Sequence, residues 1–449
     1  MGHDGRKGCS NQFPESWMTL VSSSDLINDI KVATNDQLSL HAAAKEILKP
    51  GYTMNGFNWH DQRGIEGIGF VRTLRTLLTY HLPQLTPGTR GIIEKSFAKE
   101  VGMEKTINVL ALCKAVVTKI SAYAFFGMDY GECLMQNPHP MQVLSFTDIS
   151  SDSTKIWPIV VDDDEFIDAA YYYNEDVLYG SELLRLTPKF LVPFTGPLMK
   201  VFLKRQRIFF NGLVSIIEGR MNSPGSVEKY NDVIQWIIDT SPKSNPWTPG
   251  RMAFEIMAIW FGSVQGLATT LAFAIFSLCE NPECLQVLRQ EIDSEASGGV
   301  HDERRGPTLH GQLPERVLQV YPCRIRVAKG EWVGIPVGPM LRDGSMYPQP
   351  DVFDPFRFMD PKLLHRPSSV QPEGPSKFTD ISDTWHVWGT GRLTCPGRFF
   401  VSYAMKHTIH YMLENYDVEM VQRSTKNTVS WRTLTLPAPG VKAHFKIRK

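Results

Sequence analysis

Apolar positions recur at three-to-four spacing along most of this chain and alternate only in short stretches. That pattern predicts a mainly α-helical protein with small β-sheets. MTLVSS (Met18 to Ser23) reads as a strand, followed by a helix capped near Ser24. TPGTRGIIEKSFAKEV (Thr86 to Val101) predicts a helix with Thr86 as N-cap and Pro87 at its first position. Lys105 to Phe126 continues as a helix-like segment. Asp164 to Leu186 and Leu198 to Met221 follow, separated by Pro188, Pro193, Gly196 and Pro197. Their aromatic residues, Tyr171, Tyr172, Tyr173, Phe209 and Phe210, read as packing residues, with room for some to face an apolar ligand.

Thr248-Pro249-Gly250 opens the longest helix. Ile256 to Cys279 carries no formal charge and is long enough to cross a bilayer, which takes roughly 20 apolar residues. Ser263, Gln265, Gly266, Thr269 and Thr270 lie near its middle, and that polar centre favours a helix buried in a large domain over a membrane span. Glu280 to Ile292 predicts a further helix. Ser294 to Pro314 is rich in Gly, Arg, His and Pro, and the whole segment 294–330 reads as irregular or mis-joined, with a short helix at Glu315 to Tyr321. WVGIPVG (Trp332 to Gly338) predicts a buried strand, and YPQPDVFDPFRF (Tyr347 to Phe358) a packed loop. Arg398 to Asn415 predicts a helix, and the tail short strands, all within one domain over 1–449.

Composition narrows the function. A 42% hydrophobic and 21% charged balance suits a large buried core. Lys+Arg and Asp+Glu both number 47, which argues against a nucleic-acid binder and leaves a small apolar ligand open. The seven cysteines are scattered without a CxxC pair, so reduced thiols in a cytosol-facing compartment are expected rather than a disulfide framework. Met1 to Leu20 is mostly polar, and neither signal peptide nor N-terminal anchor is read there, which by itself points to the cytoplasm.

Cys395 stands apart because of its neighbours, WHVWGTGRLTCPGRFFVSYAMKH (Trp385 to His407). A metal-binding thiolate needs positive polarity around it. Gly389, Gly391 and Gly397 let backbone N–H groups approach sulfur, and Pro396-Gly397 starts a helix whose dipole favours an anion. Arg392 brings a positive charge within reach of an acidic cofactor group, and Trp388 shields one side of the ligand from water.

WGTGRLTCPGR resembles the cysteine-ligand loop of cytochromes P450, FxxGxxxCxG, especially that of fungal members, with Trp388 replacing the usual Phe. FDPFRF resembles the region of the family's PERF-type arginine, here Arg357. The helix around FGSVQGLATT resembles the oxygen-binding helix, and ENPECLQVLRQEI the helix after it. The resemblance implies a P450-like α+β fold with a long central helix across a haem. It implies haem b held by Cys395, with Arg392, Trp388, Gly389, Gly397 and Arg357 in the cofactor site. The family places an acid or amide and then Thr beside oxygen to deliver protons. Aligned from Phe261, Gln265 and Gly266 take those positions, with Ser263 or an ordered water completing the relay and Thr269 and Thr270 one turn later.

A second departure is the family's Glu-x-x-Arg helix. The nearest match is RVLQVYP (Arg316 to Pro322), where Arg316 replaces the Glu and Gln319 the Arg, so Arg357 is expected to lack its usual partners. The implied activity is hydroxylation or oxidation of a small apolar metabolite in fungal secondary metabolism. Electrons would come from NADPH through NADPH–cytochrome P450 reductase, docked on basic residues such as Arg398 and Lys406. The family also implies the endoplasmic reticulum and a peripheral membrane contact. A haem-thiolate isomerase or dehydratase, and a haem-deficient paralogue without activity, are the alternatives.

Overall fold

The computed structural model describes residues 8–12, 17–34, 36–57, 73–127, 163–222, 230–296, 327–354, 357–358, 377–382, 384–421, 427–431 and 434–448. Strands β1 (Gly8–Gln12) and β2 (Trp17–Val21) precede helices α1 (Ser24–Val32), α2 (Leu40–Leu48) and α3 (Pro50–Thr53). A π-helical turn, Thr73–Leu78, runs into α4 (Thr79–Glu100), and β3 (Glu104–Asn108) into α5 (Val109–Phe126). Next come α6 (Asp163–Leu186), α7 (Val192–Phe202), α8 (Lys204–Asn222) and α9 (Val233–Asp239). The long α10 (Pro249–Glu280), α11 (Pro282–Ala296), β4 (Trp332–Gly334) and α12 (Val337–Leu341) lead to α13 (Arg398–Asn415). The chain ends in β5 (Tyr416–Met420), β6 (Thr428–Trp431), β7 (Leu434–Pro437) and β8 (Lys442–Ile447). The mainly helical class with small sheets is as expected.

The chain forms two compact units. The first combines Met1–Ala43 with Gln290–Arg398, and the second Ala44–Arg289 with Phe399–Lys449. In the first, β1 pairs antiparallel with β2, which pairs parallel with β4 through Met18↔Trp332. Val21, Leu26, Ile27 and Met340 form its small core. Pro336 offers no N–H to a ladder, so the strand predicted over Trp332 to Gly338 stops at Gly334 and a helix follows. Helix α11 runs on to Ala296, into the stretch expected to be irregular, and 297–326, with Arg316 and Gln319, lies outside the described residues.

In the second unit α10 packs against α5 and α8. Trp260 is its hub. The indole stacks on Phe126 at 4.9 Å, meets Phe125 and Phe209 at 5.9 and 5.8 Å, and donates from Nε1 to the Ala170 carbonyl at 2.8 Å. Thr248 caps the helix by accepting from the Arg251 N–H at 3.3 Å, with Pro249 beside it as predicted. Helix α10 and α5 are both long and apolar enough to cross a membrane, but Ile256, Trp260, Val264, Leu267 and Leu271 are all buried against protein. A core helix therefore accounts for the charge-free run.

Three sequence expectations need correction. Lys105 to Asn108 is strand, because β3 pairs with β8 (Glu104↔Lys446 to Asn108↔Lys442), and Asn108 caps α5 by accepting from Ala111 N–H at 2.9 Å. Thr86 is no N-cap. It lies inside α4, where its hydroxyl donates to the Leu82 carbonyl at 3.2 Å and both Pro83 and Pro87 are accommodated. The helix predicted over Leu198 to Met221 is two helices, broken at Leu203.

Between α6 and α8, Arg205 bridges Asp168 at 3.2 Å and Asp176 at 3.5 Å. Burial pushes the Asp176 carboxyl up from 3.8 to about 6, a rise that Arg205 opposes and Glu175 reinforces. The folded state therefore holds this proton more tightly than the unfolded chain. Its stabilisation is complete below about 3.8 and lost as pH rises through about 6, a change of about 3 kcal/mol. Asp176→Asn should be more stable than the parent at pH 7.5 and should flatten the fall in stability between those two values, read from urea midpoints.

Candidate haem-thiolate site

The cysteine turn belongs to the first unit. Trp388 and Cys395 close it: the Cys395 N–H donates to the Trp388 carbonyl at 2.7 Å. Gly389 has φ +77°, and a Cβ there would sit 2.8 Å from the Leu393 oxygen, so only glycine permits this closure. Gly391, at φ +55°, presses on Lys31, and Thr394 donates from its hydroxyl to the Gly391 carbonyl at 2.7 Å. The Trp388 indole N–H is taken by the Phe378 carbonyl at 2.6 Å, with the two rings edge-on at 5.1 Å, so Trp388 contributes a buried apolar wall.

Burial raises the Cys395 thiol above its ordinary value, while the Gly397 amide, the Arg398 charge and the Arg398 amide pull toward the thiolate. These amides belong to the first residues around the α13 N-terminus, where the helix dipole adds to the same polarity. Arg398 is held in place by donating to the Thr379 and Cys395 carbonyls, both at 3.1 Å, and is not the free docking cation expected from sequence. Lys406 is exposed.

The other candidates are distributed as follows. The Arg392 guanidinium donates to three carbonyls, Ala33 at 2.7 Å, Thr34 at 3.2 Å and Leu38 at 2.5 Å, and so ties the turn to the segment after α1. Arg357 turns back on its own loop, donating to the carbonyls of Pro348 at 2.7 Å, Gln349 at 3.0 Å and Val352 at 2.9 Å. Among the described residues it has no acidic partner. Its neighbour Phe358 meets Trp385 edge-on at 5.0 Å, which joins that loop to the start of the cysteine segment.

In the second unit, α10 leaves one face uncovered, with Gly262, Gly266 and Thr270 exposed at four-residue intervals. A Cβ on either glycine would meet nothing within 4 Å. The polar groups along this helix differ in what they have free. Ser263 donates to the Trp260 carbonyl at 3.1 Å, and Thr270 to that of Gly266 at 2.9 Å. The Thr269 hydroxyl is buried without a hydrogen-bond partner, and the Gln265 amide is bonded to nothing among the described residues. Sequence reasoning set Ser263 in the relay and gave Thr269 no role. Two adjacent threonines, four and five residues beyond Gln265, are the signal in the sequence.

The donor set fits haem. A lone thiolate at a turn before a helix is the protein ligand that a haem iron takes, the macrocycle supplying the remaining donors. Gly397, beside the sulfur, has open space where a Cβ would stand, leaving room for a planar group.

A helical fold with a single cysteine held at a glycine turn before a helix is the arrangement of haem-thiolate proteins. The family profile described as cytochrome P450 matches residues 80–304 and 324–445. Among curated relatives, cytochrome P450 monooxygenase CYP512U6 of Ganoderma lucidum is 20% identical, covering 95% of this chain and 81% of that one. Cytochrome P450 monooxygenase 151 of Postia placenta is 23% identical over 97% and 85%. Cytochrome P450 monooxygenase ptmP of Penicillium ochrochloron reaches 29% over 57% and 61%. A solved structure of retinoic-acid-bound cyanobacterial CYP120A1 superposes with TM-score 0.62 and 14% identity, covering 98% of this chain and 92% of that one, and shows the shared fold. The chain belongs to the cytochrome P450 family and is a monooxygenase of that family.

Proposed function

We propose that this monooxygenase holds its haem b through the Cys395 thiolate and oxidises a small apolar metabolite of fungal secondary metabolism. We infer that it works on the cytosolic face of the endoplasmic reticulum, with electrons from NADPH through NADPH–cytochrome P450 reductase. The observation that carries the ligand assignment is the Cys395 turn: a half-buried sulfur with two amides and a guanidinium lowering the cost of its negative charge. The fungal relatives support the metabolite class.

Bound haem supplies the oxygen chemistry, and the chain's residues supply placement and protons. The uncovered glycines of α10 leave room for substrate along that face. Thr269 is the hydroxyl with a proton to give, since those of Ser263 and Thr270 are spent on their own helix. Gln265 orients a hydrogen-bonding partner but does not titrate near neutrality.

The test is haem-loaded full-length protein, reduced under carbon monoxide and then turned over with reductase and NADPH. A thiolate-type absorbance and NADPH-dependent oxidation are expected. A colourless folded preparation, or turnover that ignores NADPH, overturns the reading. In the same assay Thr269→Val should lower product formed per NADPH consumed, whereas Thr270→Val should leave that ratio unchanged.

A further inference from the structure

Gln206, in the first turn of α8, is 2% exposed and has only half of its amide committed. Its Oε1 accepts the Asn55 backbone N–H at 3.1 Å. A backbone N–H can only donate, so the atom facing Asn55 is the oxygen and the orientation of the amide is fixed. Asn55 itself adopts a left-handed φ of +52° in the turn that follows α3. The other end of the amide, Nε2, is buried and has no hydrogen-bond partner among the described residues. A buried donor left unpaired is costly, and a protein retains one where something else supplies the acceptor.

Aromatic rings stand beside that donor. Phe57, two residues after Asn55, stacks on Phe254 of α10 at 5.4 Å. Phe210, one turn after Gln206 on α8, lies 4.5 Å from the same Phe254 ring. Phe57 is buried, but Phe210 and Phe254 are half-buried and keep ring surface open. Along α10, Phe254, Ala258 and Gly262 succeed one another at four-residue steps, which puts the ring cluster about 12 Å along the helix from the first of the open glycines. Apolar walls with one or two oriented polar groups are the usual make-up of a small-molecule site.

We propose that Gln206 Nε2 is a specificity-determining donor, which hydrogen-bonds a carbonyl oxygen on a planar, conjugated ring of the substrate lying against Phe210 and Phe254. The inference rests on the oxygenase reading for the reacting end, which stands over Gly262, about 12 Å away. A lone N–H among phenyl rings selects an acceptor oxygen, so the substrate is a ring ketone, quinone or lactone and not a bare hydrocarbon.

The experiment is equilibrium dialysis of the full-length haem protein against two tricyclic probes of the same outline: xanthone, which carries a ring carbonyl, and xanthene, which has a methylene in its place. Dialysis reads binding with or without turnover, so its outcome is separate from the CO spectrum and NADPH dependence that test the oxygenase reading. Xanthone is expected to bind about tenfold more tightly, the contribution of one hydrogen bond. Gln206→Glu keeps the oxygen that Asn55 requires and replaces the donor with an acceptor, so xanthone should then bind no better than xanthene. Gln206→Met removes the donor without introducing a charge and should have the same effect, so the test holds even where the Glu variant does not fold. Phe254→Leu should weaken both probes by about fivefold and keep their ratio. The proposal is overturned if the parent binds the two probes equally or binds neither, or if Gln206→Met retains the preference for xanthone. In those cases a buried water takes the Nε2 proton and the amide only ties α8 to the turn after α3.

Discussion

Cys395→Ser should lose the thiolate-type CO absorbance and, with it, oxygenase turnover, while the protein still folds. Serine keeps the size and the N–H donation to Trp388, but its hydroxyl stays protonated at any working pH and gives iron no anionic ligand. Substitutions one shell removed from a metal typically cost 10–100-fold in affinity, and removal of the ligand itself should exceed that, on the order of more than 100-fold in haem affinity. Haem titration and the reduced-CO spectrum check it, and a variant that keeps the parent's spectrum refutes the ligand assignment.

The other cysteines provide the control. Burial pushes the Cys279 thiol up to about 12, with Glu280 and Glu419 reinforcing it, and burial pushes Cys113 up as well. Among the described residues neither has a cation acting on it, and burial keeps both as thiols, packed as small hydrophobic groups. Cys279→Ser should leave the spectrum as it is. The difference between Cys395 and Cys279 lies in the dipoles and charges aimed at each sulfur rather than in burial alone.

Elements specified by neighbouring residues were legible in the sequence. Thr248 and Pro249 set the start of α10, and the glycines and proline around Cys395 marked both the turn and the helix after it. What depends on distant chain was not. EKTIN reads locally as a continuation of helix, since Glu and Lys are good helix formers, and becomes strand only because β8 arrives from more than three hundred residues away to pair with it. The break at Leu203 leaves no mark in an apolar spacing that runs through it.

The site divides in the same way. That Cys395 is special is local information. Which hydroxyl on α10 is free is decided by hydrogen-bond geometry, and Ser263, Thr269 and Thr270 look equivalent until each bond is assigned. The charge of Arg392 is visible in the sequence, but its direction is fixed by three carbonyls after α1. Arg357 likewise spends donors on three carbonyls of its own loop, a direction that its charge alone does not reveal.

The second large effect concerns stability and sits away from the haem site. Arg220 and Asp232 form a bidentate pair at 2.7 and 2.9 Å, with side chains 6% and 1% exposed. Arg220 also donates to the Phe126 carbonyl at 2.9 Å at the end of α5, and its guanidinium lies 4.1 Å from the Tyr230 ring centre. Asp232 caps α9 by accepting from the Gln235 N–H at 3.0 Å. One buried pair thus ties the last turn of α5, the end of α8 and the first turn of α9. Gly127, at φ +100°, makes room for it, since a Cβ there would lie 2.9 Å from the Asp232 carboxylate. Removing one member strands a charge where water cannot reach it, which costs about 3–5 kcal/mol, whereas replacing both with apolar groups of similar volume is often close to neutral. Asp232→Ala should therefore lower the urea midpoint sharply and Arg220→Met nearly as much. The Arg220→Met/Asp232→Leu double variant should recover a large part of the loss, short of the helix cap, which is worth about 1 kcal/mol. If the double variant were as unstable as the sum of the two single changes, the pair would not be acting as a coupled unit, and the helix ends would have to be held by packing around Phe126 and Trp260 instead.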